Sequence, residues 1–115
     1  MLVIDKARNP GGRLSTRDHP LFSFDHGAQF FTTRDGEFGK VVQQGIRNKE
    51  ITVFTHPEKG KVYMGNPVFK AFISRLTKTF NLTQNTLVEK IEKHPDKAID
   101  PWCILVKNKK PIFAN

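Results

Sequence analysis

Four residues near the start of the sequence have the types and spacing to hold a sugar diol and a phosphate. Asp5 closes the short apolar run Leu2-Val3-Ile4, and Gly11-Gly12-Arg13 follows after five further residues. A carboxylate at the end of a buried strand can accept hydrogen bonds from ribose hydroxyls. A Gly-Gly pair lets backbone amides approach a phosphate closely, and an adjacent Arg adds charge-assisted hydrogen bonds to it. Lys6 and Arg8 lie in the same loop and add positive charge. An ordinary strand followed by a Gly-Gly turn would look the same, so this stretch alone leaves both readings open.

Other chemistry finds less support. His19, His26, His56 and His94 lack metal-ligand spacing, and no metal site is expected. His26 adjoins Gly27-Ala28-Gln29 and could face a ligand. Cys103 stands between Trp102 and Ile104, which predicts a buried, inert thiol. Neither a nucleophile elbow nor a Lys-Ser/Thr phosphate loop occurs, and no catalytic residue can be named.

These residues belong to a chain of 115 residues, about one small domain. Hydrophobic residues make up 37% of it, and ten phenylalanines predict a core built on aromatic burial. No apolar run approaches the ~20 residues of a membrane-spanning helix. One cysteine excludes an internal disulfide and fits a reducing, cytoplasmic setting. The net charge of +8 is diffuse, with its densest group at Lys107, Lys109 and Lys110. That pattern fits a solvated basic surface, and no nucleic-acid-binding signature accompanies it.

The elements that must position these groups mix strands with helices. Leu2–Ile4 reads as a strand, and Pro10-Gly11-Gly12 as a loop. Residues 23 to 33 fit short strands or loop. Asp35 is a candidate cap for a helix carrying Phe38, Val41, Val42 and Ile46 on one face. Ile51 to Thr55 and Lys61 to Met64 predict a hairpin turned at Pro57 to Gly60. Asn66-Pro67 predicts the start of a second helix, with Phe69, Phe72, Ile73, Leu76 and Phe80 as its apolar stripe. Asn81 to Lys93 reads as extended and 95–101 as a polar loop. Trp102 to Lys107 and Pro111 to Ala114 read as strands around an Asn108-Lys109 turn. The expected class is α/β, an α+β mix.

Several segments in one register resemble the renalase-like family of FAD-dependent amine oxidases and NAD(P)/FAD oxidoreductases. The acid, five residues and Gly-Gly-Arg of Asp5 to Arg13 are the first. Phe24-Asp25-His26-Gly27-Ala28-Gln29-Phe30-Phe31-Thr32 is similar to a family signature usually written Asp-hydrophobic-Gly-Ala-Gln-Tyr-Phe-Thr. Val62-Tyr63-Met64-Gly65-Asn66-Pro67 resembles a Val-Gly-x-Pro return before a helix, and Val88-Glu89-Lys90-Ile91 with Trp102 the strand pair beyond it. The resemblance runs from Leu2 to about Phe113, with Asp5 in place of the usual Glu and Phe30 in place of Tyr.

The resemblance implies a partial FAD-binding, Rossmann-like domain. It would comprise a dinucleotide-side segment in 1–34, a helix-hairpin-helix insertion in 35–80, and strands returning to the FAD domain in 81–115. Asp5, Lys6, Arg8, Gly11, Gly12 and Arg13 would face the adenosine and pyrophosphate. Gly27, Ala28, Gln29 and Phe30 would run past the flavin ring, and Val88 would contact adenine through its backbone. In complete members a small-molecule substrate gives hydride to FAD and oxygen reoxidises it.

The family's opening Gly-x-Gly-x-x-Gly turn is absent from this sequence, as is the Ala-Thr-Pro turn expected after Asn115. A truncated oxidoreductase, inactive alone and of doubtful cofactor retention, is therefore expected. The alternative is a non-enzymatic remnant or interaction module. Either would expose the edge of Leu2 to Ile4 and favour a homo-oligomer.

Overall fold

A computed structural model describes residues 1–34, 36–93 and 102–114. The chain forms two compact units, one of Met1–Arg8 with Phe80–Asn115 and one of Asn9–Thr79. Both mix strands with turns, and the second adds two α-helices, so the α/β class holds. Among the described residues no helix is long and apolar enough to cross a membrane.

The first unit opens with β1 (Leu2–Ile4), which pairs in parallel with β6 (Asn81–Thr83) in the register Leu2 to Asn81 and Ile4 to Thr83. Parallel pairing requires a long crossover, and the 76 residues between the two strands supply it. The same unit holds an antiparallel meander of β7 (Val88–Lys93), β8 (Trp102–Val106) and β9 (Ile112–Ala114). The expected turn after β8 is present, with Asn108 in the left-handed region at φ 57°. Residues 81 to 93 are two strands rather than one extended stretch. Asn85 at φ 51° and the buried Thr86 turn the chain between them. The expected loop at 95–101 lies outside the described residues.

The second unit is built around aromatic rings. Its elements are the hairpin of β2 (Thr16–His19) and β3 (Phe22–Asp25), helix α1 (Glu37–Arg47), the hairpin of β4 (Ile51–His56) and β5 (Gly60–Gly65), and helix α2 (Lys70–Thr77). Val42, Ile51, Tyr63, Phe69 and Phe72 form the buried cluster, with Leu14, Phe31, Val41, Ile46, Ile73 and Leu76 packed against it. Phe31 is its hub, with ring centroids of Tyr63, Phe38, Phe69 and Phe72 at 5.6 to 6.2 Å. Such offset and tilted ring pairs add stability beyond the area they bury. Phe31 also exchanges both backbone hydrogen bonds with Tyr63, at 3.0 and 2.9 Å, which locks the segment after β3 onto β5.

Helix α1 carries the expected face, with Val42 fully buried, while Phe38 at its start is 48% exposed. The cap expected at Asp35 lies outside the described residues; Gly36 precedes the helix and gives no side-chain cap. The helix closes on a double turn: Lys49 donates its N–H to Ile46 at 3.0 Å and Glu50 donates to Gly45 at 2.8 Å. These two bonds satisfy carbonyls that a helix end otherwise leaves open. Gly45 is buried with no room for a side chain, since a Cβ there would stand 2.9 Å from both Ile51 Cγ1 and Phe72 Cδ2.

The start of α2 differs from expectation. Asn66 does not cap it: its side chain donates to the Lys49 carbonyl at 2.9 Å and its N–H to Glu50 at 2.9 Å. Asn66 thus secures the exit of α1, and the helix begins at Lys70. The negative group at that N-terminus is Asp25, whose two carboxylate oxygens each lie 3.1 Å from the Phe69 N–H. Phe69 and Phe72 are core as expected, but Phe80 lies beyond the helix, which ends at Thr77. Arg75 on α2 reaches Glu50 at 2.7 Å, and its guanidinium lies 5.4 Å from the Phe72 ring centroid.

Candidate functional site

The sequence-derived candidates fall into two groups, one in each unit. In the first unit, β1 delivers Asp5 to the end of the parallel pair, where its N–H donates to Thr83 at 2.8 Å. The half-buried carboxylate turns back and accepts the Ala7 N–H through Oδ1 at 2.8 Å. Oδ2 has no protein partner among the described residues. This local turn orients the acid without consuming it.

Thr86 joins Asp5 to the strand that begins at Val88. It donates its N–H to the Asp5 carbonyl at 3.0 Å, two residues before β7. The Thr86 hydroxyl donates to Gln84 at 2.9 Å and accepts from Lys109 Nζ at 2.6 Å. Gln84 donates in turn to the Arg8 carbonyl at 2.6 Å, and Asn85 donates to Ala7 at 3.1 Å. Asp5, Lys6, Arg8 and Val88 are therefore carried by one hydrogen-bonded network. Lys6 and Arg8 are exposed, and neither side chain has a partner among the described residues. Val88 pairs with Val106 beside a register shift that separates it from Lys90. Neither Thr86 nor Lys109 is marked as a site residue by the sequence, where a lone threonine between Asn and Leu offers no signal.

In the second unit, Gly11 and Gly12 adopt φ of 119° and 52°, angles that glycine reaches without strain. Gly12 has no atom within 4 Å of where a Cβ would stand. A one-turn 3-10 helix, Gly12–Leu14, then drops Leu14 onto the core and leaves Arg13 exposed. The backbone N–H groups of Gly11 and Gly12 have no acceptor among the described residues.

The Gly27-Ala28-Gln29 segment packs directly against this loop. Ala28 donates to the Arg13 carbonyl at 2.7 Å, and a Cβ on Gly27 would lie 2.1 Å from that oxygen. His26 donates its N–H to Ser15 at 3.3 Å, and its Nε2 lies 3.0 Å from Ser15 Oγ. His26 is thus tied to the loop. Gln29 is exposed without a partner among the described residues, and the Phe30 ring packs on His56 at 5.6 Å.

A cavity of about 220 Å³ opens beside the loop, between Asn9, Pro10 and Leu14 and the residues Asp18, Lys70 and Ile73. Asp18 and Lys70, 52 residues apart, form an ion pair at its rim. The hydrogen bond from Lys70, with a second from Ser23, lowers the Asp18 pKa below 3.8. Neither residue stands out in the sequence, because no local pattern encodes a pair so distant. Cys103 is buried as expected.

Every candidate except Val88 falls in the stretch that a comparison with protein families picks out. Residues 1–44 match the family model described as an NAD(P)-binding Rossmann-like domain, so this part of the chain is similar to the nucleotide-cofactor domains of FAD/NAD(P) oxidoreductases.

Proposed function

We propose that this chain supplies the adenosine-side elements of an FAD-dependent oxidoreductase of the renalase-like kind. The observation that carries the reading is Asp5. It lies at the end of a strand in a parallel pair, one carboxylate oxygen is fixed by Ala7, and the other has no partner among the described residues. That is the arrangement a ribose diol requires of an acid at this place.

Three further features favour the fit of the cofactor. Val88 is tied to Asp5 through Thr86, as an adenine neighbour would need to be. Gly11 and Gly12 hold open N–H groups with no side chain in the way, and Arg13 is exposed beside them. Lys6 and Arg8 add two more exposed cations to a loop that would meet a pyrophosphate. FAD itself supplies the hydride-accepting chemistry when bound. The residues of this chain would bind and orient: within the first unit Asp5 is suited to ribose hydroxyls, and within the second the glycine amides and Arg13 are suited to phosphate, with Gly27-Ala28-Gln29 packed along their loop.

The reading is tested by titrating FAD into the protein and following quenching of flavin fluorescence. Saturable binding is expected, weakened about tenfold by Asp5→Ala, the scale of hydrogen bonds made to a charged group. Absence of binding, or binding that Asp5→Ala leaves unchanged, would overturn it.

A second reading rests on β1. Its only strand partner among the described residues is β6, and Leu2 on it is 42% exposed. An open strand edge can pair with a second copy of the chain, giving a self-associating module. Light scattering at tens of micromolar tests this; a monomeric mass sinks it.

A further inference from the structure

We infer that the exposed face of α1 holds a second anion site, suited to a small phosphomonoester. This inference is independent of the FAD reading. A cavity of about 520 Å³ runs along the helix and is lined by Thr33, Gly36, Gly39, Lys40, Gln43, Arg47 and Tyr63. Residues 36, 39, 40, 43 and 47 recur at helical spacing and share one face, opposite the buried Val42 and Gly45.

The chemistry of this lining is one-sided. Lys40 and Arg47 are cationic, Gln43 offers an amide, and among the described residues no lining residue is acidic. Lys40 is paired with Glu37 one turn away, but both side chains are exposed, at 75% and 89%, so that pair is weak and readily exchanged. Arg47 gives one terminal nitrogen to Gln44 at 2.7 Å and keeps further donors for a ligand. The Thr33 hydroxyl donates to the Arg34 carbonyl at 2.9 Å.

Tyr63 is the second, independent sign of a ligand. It is 6% exposed, and its backbone N–H and carbonyl are both taken by Phe31. Its hydroxyl has no hydrogen-bond partner among the described residues, and Tyr63 is one of the residues that line the cavity. A buried phenol normally finds a partner, since leaving one unmade costs free energy. An anion oxygen held by Lys40 and Arg47 would provide that partner. The two glycines leave the wall open: a Cβ on Gly36 would meet nothing within 4 Å, and one on Gly39 only the Arg34 carbonyl at 3.8 Å. The volume exceeds what inorganic phosphate needs and leaves room for an organic group.

The test is an amide-resolved NMR titration of the whole chain with phenyl phosphate, with benzyl alcohol as its neutral counterpart. Saturable shifts centred on Gly36, Gly39 and Lys40 are expected for phenyl phosphate alone. Arg47→Gln, at an exposed position, should weaken binding about threefold to fivefold, the scale of one exposed charge pair. Tyr63→Phe keeps the ring in the core and should also weaken binding, while Lys61→Gln on the β4–β5 hairpin should not. Shifts that never saturate or that spread over the lysines overturn the site. Equal effects of Lys61→Gln and Arg47→Gln, or no effect of Tyr63→Phe, do so too.

Discussion

A Cβ on Gly27 would stand 2.1 Å from the carbonyl oxygen of Arg13, an oxygen that already accepts the Ala28 N–H at 2.7 Å. The Gly-Gly-Arg loop and the Gly-Ala-Gln segment are thus held backbone against backbone, with no space for a side chain between them. Gly27→Ala must move one of the two strands of chain. The expected cost is about 2 kcal/mol or more, in the upper part of the range for overpacking. Thermal unfolding followed by circular dichroism measures it, and an unchanged midpoint would contradict the close approach.

Two glycines on α1 should respond in opposite directions to the same substitution. Gly39→Ala places its methyl in ordinary contact, 3.8 Å from the Arg34 carbonyl, and removes a flexible residue from a helix, which favours the fold by about 0.5–1 kcal/mol. Gly45→Ala drives its methyl to 2.9 Å from Ile51 and Phe72 in the core, a distance at which side chains must shift. Its expected cost is about 1–3 kcal/mol despite the same gain in helix propensity. Midpoints of urea unfolding for the two variants, read against the parent, check the opposed signs.

The contrast between Gly39 and Gly45 also indicates what could be read from the residues alone. Periodicity identified the face of α1 and the aromatic stripe of α2, because burial leaves a repeating mark in the sequence. The β4–β5 hairpin and the turn at Asn108 were legible for the same kind of reason, through local turn chemistry. The start of α2 was not. Asn66 has the chemistry of a cap, but its side chain is used by Lys49, a partner 17 residues away, and Asp25 takes the capping place from 44 residues away. At the candidate site, Asp5 and Gly-Gly-Arg were visible as a local pattern. Thr86, the Asp18–Lys70 pair and the Tyr63 hydroxyl, unpartnered among the described residues, arise from long-range packing, which leaves no spacing to detect.

Asp18 and Lys70 predict a pH response of definite sign. The hydrogen bond from Lys70 holds the Asp18 pKa below 3.8. A carboxylate with a lowered folded-state pKa contributes stability that is present above the unfolded value and is lost as pH falls through the folded one. The Asp18 and Lys70 side chains are 51% and 61% exposed, so screening keeps the effect small and salt-sensitive. Carboxyl-carbon NMR titration should place Asp18 below 3.8, and Lys70→Met should move it upward. A titration unchanged by Lys70→Met would remove the pair from the account.

The end of α1 offers a stabilising change. Lys49 occupies the position after the helix cap at φ 59°, and its N–H and that of Glu50 close the double turn onto Ile46 and Gly45. An L-residue with a Cβ is disfavoured in this left-handed region, and glycine is the residue most often found where this turn ends a helix. The backbone bonds do not involve the lysine side chain, which is exposed. The Asn66 side chain donates to the Lys49 backbone carbonyl, and glycine keeps that oxygen in place. Lys49→Gly should therefore stabilise the protein by about 0.5–1 kcal/mol, the left-handed penalty of about 1–2 kcal/mol less the greater freedom of glycine in the unfolded chain. A rise in the urea midpoint with unchanged slope is the expected result; a fall would mean that Lys49 contributes through its side chain.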